Sequence, residues 1–217
     1  NKPVAAEVGL GSRVAAITST FTQGNLTHVE NPFSVALEGD GFFQIRTESG
    51  ELQYTRDGSF EISPVANGNM LCTSDGNPVL DAYGNQIILP SNRVATDLVV
   101  NQDGTLAFPD GTGNPAVITD ANGRPVKFGI YQFNNPAGLS KEGSNNYSVT
   151  VASGAAVAEN GNAAVKQTKT HQYYTEASNV DVANEMVNLI VAQRAYEMNS
   201  KAIQASDEMM QQANALR

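Results

Sequence analysis

Apolar and polar positions follow two different periods along this chain. Up to about residue 175 the apolar residues come in short runs rich in β-branched and aromatic side chains. Examples are Phe33-Ser34-Val35-Ala36-Leu37, Phe42-Phe43-Gln44-Ile45, Gln86-Ile87-Ile88-Leu89, Leu98-Val99-Val100 and Val126-Lys127-Phe128-Gly129-Ile130-Tyr131. Between and around them stand Asx-Gly pairs: Asp40-Gly41, Asp57-Gly58, Asn67-Gly68, Asp75-Gly76, Asp103-Gly104, Asp110-Gly111, Asn122-Gly123 and Asn160-Gly161. Such pairs accept the positive φ of tight hairpin turns. Turn signals about ten residues apart with strands between them predict an antiparallel all-β domain. Its core falls between about Pro32 and Val151, followed by a looser flank at Ala152–Ala164 and a last extended segment, Val165–Thr175, that runs back along the domain. Phe33, Val35, Phe43, Ile45, Phe60, Leu98, Val100, Phe128, Ile130 and Tyr131 are its expected buried positions.

From Asp181 the period changes. Val182, Leu189, Tyr196, Ile203 and Met210 recur every seventh residue and mark one face of a long helix. The column three residues further on is small or polar (Glu185, Ala192, Asn199, Ser206, Ala213), so this apolar stripe is narrow and suits another helix better than a broad sheet. Ser178, Asn179 and Asp181 offer N-cap oxygens, and Asp181 with Glu185 places negative charge where the helix dipole favours it. A solvated apolar stripe of this length has to meet a partner or stay partly unfolded. The expected organisation is an extended linker at 1–31, an antiparallel β-domain at 32–175 and a coiled-coil type assembly helix at 176–217.

Composition sharpens this division, because all 19 Gly and all 9 Pro precede Asp181. The 13 Lys and Arg against 22 Asp and Glu leave a net charge of −9, and the cations are scattered singly, so no phosphate-binding surface is expected. No apolar run approaches the roughly 20 residues that cross a bilayer, and no membrane insertion is expected.

The residues for chemistry are sparse. Cys72 is the only cysteine, and His28 and His171, the only imidazoles, stand far apart in sequence and read as structural rather than ligating. Gly9-Leu10-Gly11 and Gly39-Asp40-Gly41 begin like a dinucleotide fingerprint but lack its third glycine. Asp75, Asn77, Asp81 and Asn85 depart from the calcium-loop spacing and have no closing Glu, so turn chemistry is the stronger reading. No catalytic residue, cofactor site or metal site is assigned. An all-β adhesin with a helical stalk and a carbohydrate-active enzyme with two facing carboxylates remain as alternatives.

The stretch from Ser178-Asn179-Val180-Asp181-Val182-Ala183-Asn184-Glu185 through Gln193-Arg194-Ala195-Tyr196-Glu197 resembles the C-terminal signature of bacterial flagellar rod and hook proteins. Gln23-Gly24-Asn25-Leu26, Val35 to Ile45 and Tyr54-Thr55-Arg56-Asp57-Gly58-Ser59-Phe60 agree with the same family in order and spacing. The distal-rod branch fits best, since hook members carry a further β-domain for which this chain has no room. The resemblance implies a structural subunit that stacks helically on copies of itself and on neighbouring rod and hook subunits inside the basal-body ring proteins. It further implies a periplasm-spanning location and export without a cleaved signal peptide. Family members begin with an N-terminal helical segment, and nothing like it precedes Asn1, so that helical partner is expected to be absent from this chain. Val182, Leu189, Tyr196, Ile203 and Met210 become the expected assembly stripe. Asn184, Asn188, Gln193, Asn199, Gln204, Gln211 and Gln212 supply uncharged surface suited to a channel.

Overall fold

The computed structural model describes residues 19–110, 115–120, 122–162 and 164–215. The Gly9-Leu10-Gly11 motif, most of the linker and Gly111 lie outside the described residues. In chain order the strands are β1 (Leu26–His28), β2 (Val35–Glu38), β3 (Phe42–Arg46), β4 (Leu52–Thr55), β5 (Glu61–Val65), β6 (Gly68–Cys72), β7 (Ile88–Leu89) and β8 (Val99–Val100). They continue with β9 (Leu106–Pro109), β10 (Pro115–Val117), β11 (Ile130–Gln132), β12 (Ser140–Gly143), β13 (Asn146–Ser148), β14 (Val157–Ala158), β15 (Lys169–Gln172) and β16 (Tyr174–Glu176), followed by one helix, α1 (Val182–Ala215). Every named strand pair is antiparallel. The chain divides into two compact units, up to Ala177 and from Ser178 onward.

The largest sheet has the order β12-β13-β4-β3-β11-β14. Its central strand β3 is buried along Phe42-Phe43-Gln44-Ile45 without alternation, because both faces of the sheet are covered. Phe43 and Ile45 point into the main core with Val35, Leu37, Leu71, Leu106 and Ile130. There the Phe43 ring meets Phe60 edge-on at 5.0 Å and Phe128 at 5.3 Å. Phe42 points the other way, into a second core with Tyr54, Phe133 and Leu139. Adjacent strand residues face opposite sides, so each ring of the Phe42-Phe43 pair fills a core and neither lines a site. Of the ten expected core positions eight are buried, while Phe33 and Tyr131 are half-buried against the two cores.

Five of the described turns share one geometry, a three-residue loop, whereas Val65↔Gly68 and Gly143↔Asn146 flank two-residue loops. At Thr47–Glu51, Thr73–Asn77, Asp81–Asn85, Asn101–Thr105 and Asp120–Arg124 the first residue's N–H donates to the fifth residue's carbonyl. The fourth residue, always glycine, donates back to the first carbonyl. Gly76 and Gly104 sit at φ 83° and 82°, the left-handed position of a three-residue loop closed by a glycine bulge. Thr47, Asp81 and Asp120 complete their turns with a side-chain oxygen that accepts from the fifth residue's N–H. In Asp57-Gly58 the glycine serves a different purpose: a Cβ there would lie 1.7 Å from the Val35 carbonyl oxygen, which leaves room only for hydrogen.

The segment expected as a linker is bound to the β-domain where it is described. Phe21 packs edge-on against Phe42 at 5.5 Å and Tyr147 at 5.2 Å, and β1 pairs with β16 in the register Leu26↔Glu176. The returning segment splits in two at Tyr173, whose φ of 65° turns the chain from β15, paired with β2, to β16, paired with β1.

Candidate assembly surface

Two features stand out once catalysis is set aside: a helix with exposed apolar columns and a polar joint where the chain enters and leaves the β-domain. The helix starts at Asp181, whose Oδ1 accepts from the Ala183 N–H at 2.9 Å while Oδ2 accepts from the Asn184 amide at 2.8 Å. Of the expected cap oxygens, those of Asp181 cap the helix, while Ser178 Oγ accepts from the Val180 N–H upstream of it. Over its 34 residues, about 51 Å at 1.5 Å each, every described side chain but Ser200 is exposed.

Val182, Leu189, Tyr196, Ile203 and Met210 are 68, 57, 78, 64 and 58 % exposed. The structure brings them onto one slowly drifting side of α1 and, among the described residues, leaves each of them more than half exposed. A second apolar set, Val187, Val191, Met198 and Met209, is equally exposed and falls roughly half a turn around the axis at about 3.6 residues per turn. The seven-residue count did not register it because its spacings are four, seven and eleven; counting against the helical period finds it. Six of the seven amides fall between the two columns as separate groups, Asn184, Asn188 and Asn199 on one side and Gln193, Gln204 and Gln211 on the other, while Gln212 stands beside the second column.

At the joint, Arg56 and Glu176 meet from positions 120 residues apart, each side chain 14 % exposed. Arg56 Nε and Nη2 donate to Glu176 Oε2 at 3.1 and 3.0 Å, and Nη1 donates to the carbonyls of Gly39 and Gly41 at 2.9 and 3.3 Å. Glu176 Oε1 accepts from the Gly24 N–H at 2.8 Å. Gln23 closes the ring: its Oε1 accepts from the Gly39 N–H and its Nε2 donates to the Leu37 carbonyl, both at 3.0 Å. The Arg56 guanidinium also stands 5.6 Å from the centre of the Phe42 ring. A Cβ on Gly24 would lie 1.9 Å from the Ala177 carbonyl oxygen, so the entering and leaving segments touch backbone to backbone. No local pattern marks Arg56 or Glu176. Nevertheless, Gln23-Gly24, Gly39-Asp40-Gly41 and Arg56, all in stretches singled out by the sequence, converge here.

The remaining candidates resolve into structure. His28 and His171, remote in sequence, both pack on the Tyr174 ring, at 5.3 and 6.1 Å. His171 Nε2 donates to Glu38 Oε2 at 2.7 Å, and this hydrogen bond holds the Glu38 carboxyl below its ordinary range. A lowered folded value means the pair's contribution is present above the unfolded carboxylate pKa and is lost as pH falls through the lower folded one. His171→Ala should return the Glu38 titration to the ordinary carboxylate value, read by NMR of its side chain; an unmoved titration would refute the assignment.

Asp81, Asn85, Ile88, Ile118, Asp120 and Val126 help to line a cavity of about 290 Å³ between two of the hairpin loops. Both carboxylates are consumed by their own turns: Asp81 Oδ1 accepts from the Tyr83 and Asn85 N–H groups, and Asp120 Oδ1 from those of Asn122 and Arg124. These bonds, that of the Arg124 N–H foremost, lower the Asp120 pKa, the reverse of what a glycosidase acid needs. Burial pushes the Cys72 thiol up, away from nucleophilic use. Among the described residues no three His, Cys, Asp or Glu side chains converge to hold a metal, and no helix is long and apolar enough to cross a membrane.

Comparison with known proteins bears on the joint and the helix together. Residues 171–216 match the family described as flagellar basal body rod FlgEFG protein C-terminal, and residues 36–108 match the flagellar hook protein FlgE/F/G D1 domain. The flagellar basal-body rod protein FlgG of Borreliella burgdorferi is 38 % identical over 220 residues, covering 100 % of this chain and 76 % of that protein. FlgG of Agrobacterium fabrum is 38 % identical over 95 % of this chain and 73 % of its own length. The flagellar hook-basal body complex protein FlhP of Bacillus subtilis is 32 % identical, covering 99 % of this chain and 76 % of that protein.

Proposed function

From the premise that this chain belongs to the flagellar basal-body rod and hook FlgE/F/G family, we propose that it is a structural subunit of the distal rod. It stacks helically with copies of itself and with neighbouring rod and hook subunits, inside the basal-body ring proteins, into a hollow periplasm-spanning shaft that carries torque to the hook. Its role is mechanical and not catalytic, and it is exported without a cleaved signal peptide.

The observation that carries this reading is α1, with five heptad-spaced apolar residues all more than half exposed and a second apolar column behind them. Solvated helices of this kind gain most of their stability from packing partners. Val182, Leu189, Tyr196, Ile203 and Met210 form the assembly seam. The exposed Asn184, Asn188 and Asn199 side lines the channel with uncharged polar surface that does not trap charged cargo.

Electron microscopy of the assembled full-length protein tests the reading. Tubes with a central channel are the expected result, and a protein that stays monomeric at high concentration would overturn it. Replacing Asn188 and Asn199 with Lys should impair export of later subunits while leaving tube formation intact; unchanged export would remove the channel assignment.

A further inference from the structure

The Arg56 network holds more than one strand pair in place, and its arrangement suggests a mechanical purpose. The chain enters the β-domain at Gln23-Gly24-Asn25 and leaves it at Glu176-Ala177, and these segments lie side by side, with the Ala177 N–H donating to the Asn25 carbonyl at 2.8 Å. The ribbon joining them, β1 with β16, is only three residue pairs long. Such a ribbon is marginal without side-chain support. The support is Arg56, which belongs to neither segment: it follows β4, one strand of the hairpin at the centre of the large sheet. A single guanidinium grips the leaving segment through Glu176, the entering segment through Gln23, and the turn between β2 and β3 through the carbonyls of Gly39 and Gly41. Glu176 in turn holds the backbone of the entering segment at Gly24.

We propose that Arg56 is the positioning residue of a latch that clamps both chain ends to the sheet hairpin. A pull arriving at Ala177 is then shared by this network, instead of unzipping β16 from β1 pair by pair. The mechanical half of the proposal rests on the rod reading above; the latch itself does not. The planar fork is what the geometry uses, since Nε and Nη2 address the carboxylate while Nη1 addresses the carbonyls. An ammonium group cannot serve both directions at once.

Two variants test it in the full-length protein, Arg56→Lys, which keeps the charge and loses the fork, and Glu176→Gln, which keeps an oxygen for Gly24 and loses the charge. Amide hydrogen exchange of dilute subunits should become about ten- to a hundredfold faster at Gly24 and Ala177 on loss of hydrogen bonds to a charged group. Exchange at Phe43, Leu71 and Ile87 should stay at wild-type rates. In cells carrying either variant, swimming should persist in dilute medium and fail in viscous medium, where torque is high. Unchanged exchange at Gly24 and Ala177, or equal acceleration throughout the β-domain, would overturn the latch. Local loss of protection with wild-type swimming in viscous medium would overturn its mechanical role. Failure of the rod reading would show separately, as failure of the wild-type gene to restore motility to a strain lacking it.

Discussion

Leu189→Asp is expected to abolish rod assembly while leaving the melting transition of the β-domain almost unchanged. Leu189 is 57 % exposed among the described residues, so the substitution disturbs no buried core position. In the proposed seam the same position becomes enclosed, and burial of a leucine there contributes about 1.5 to 3 kcal/mol per subunit. Aspartate removes that contribution and adds a desolvated carboxylate without a partner, at a cost of several kcal/mol more. Repeated at every subunit, the penalty prevents propagation. The same reasoning makes the helix the least protected part of the dilute wild-type chain. Its exchange should be fastest beyond about Tyr196, and its helicity should rise with concentration as apolar columns find one another. Sedimentation and circular dichroism of the variant across a dilution series check both statements; normal assembly of Leu189→Asp would show that the seam lies elsewhere on the helix.

Phe43→Ala should destabilise the β-domain by about 3 to 5 kcal/mol, read from urea unfolding. The Phe43 ring is fully buried and touches Phe60 and Phe128 edge-on, while those two stack on each other at 5.8 Å. Truncation leaves a hole bounded by two rings that sit on other segments and cannot both close it. Domains of this size have about 5 to 15 kcal/mol in total, so the variant stands near the unfolding threshold. By contrast, Phe33→Ala, at a half-buried position on the rim of the same core, should fall well below that loss; equal losses would mean that the burial assignment fails.

These two residues also mark what was legible in the sequence. The helix and its first apolar column could be read directly, because a seven-residue repeat without Gly or Pro has few other structural meanings. The second column was missed through counting one register only. Strand existence was legible at Val35 to Leu37 and at Phe42 to Ile45, where β-branched and aromatic residues cluster. That β3 is covered on both faces was not legible from alternation, since a run buried on both sides has none. The turn signals were real but their geometry was not specified: Asp75-Gly76 and Asp103-Gly104 close three-residue loops, whereas the glycine of Asp57-Gly58 answers to a backbone approach. Tyr83-Gly84 forms the same loop with no Asx before its glycine. Arg56 with Glu176 lay beyond any local reading, because a pair 120 residues apart leaves no periodic trace. Family resemblance pointed to both neighbourhoods without indicating that they touch.

Under the export proposed above, the pairing of the first strands with the last bears on how the chain folds when its N-terminal part is delivered first. Val35 in β2 is paired with Gln172, and Leu26 in β1 with Glu176. Hairpins such as β3 with β4 or β5 with β6 close locally and can form as soon as they emerge. The ends of the domain cannot, for their partners arrive about 140 residues later, and contacts of such high sequence separation form slowly. The fold is therefore sealed only by its final strands. Until then, the portion already delivered stays loosely organised, and a chain stalled midway can be drawn onward without a completed domain to unravel.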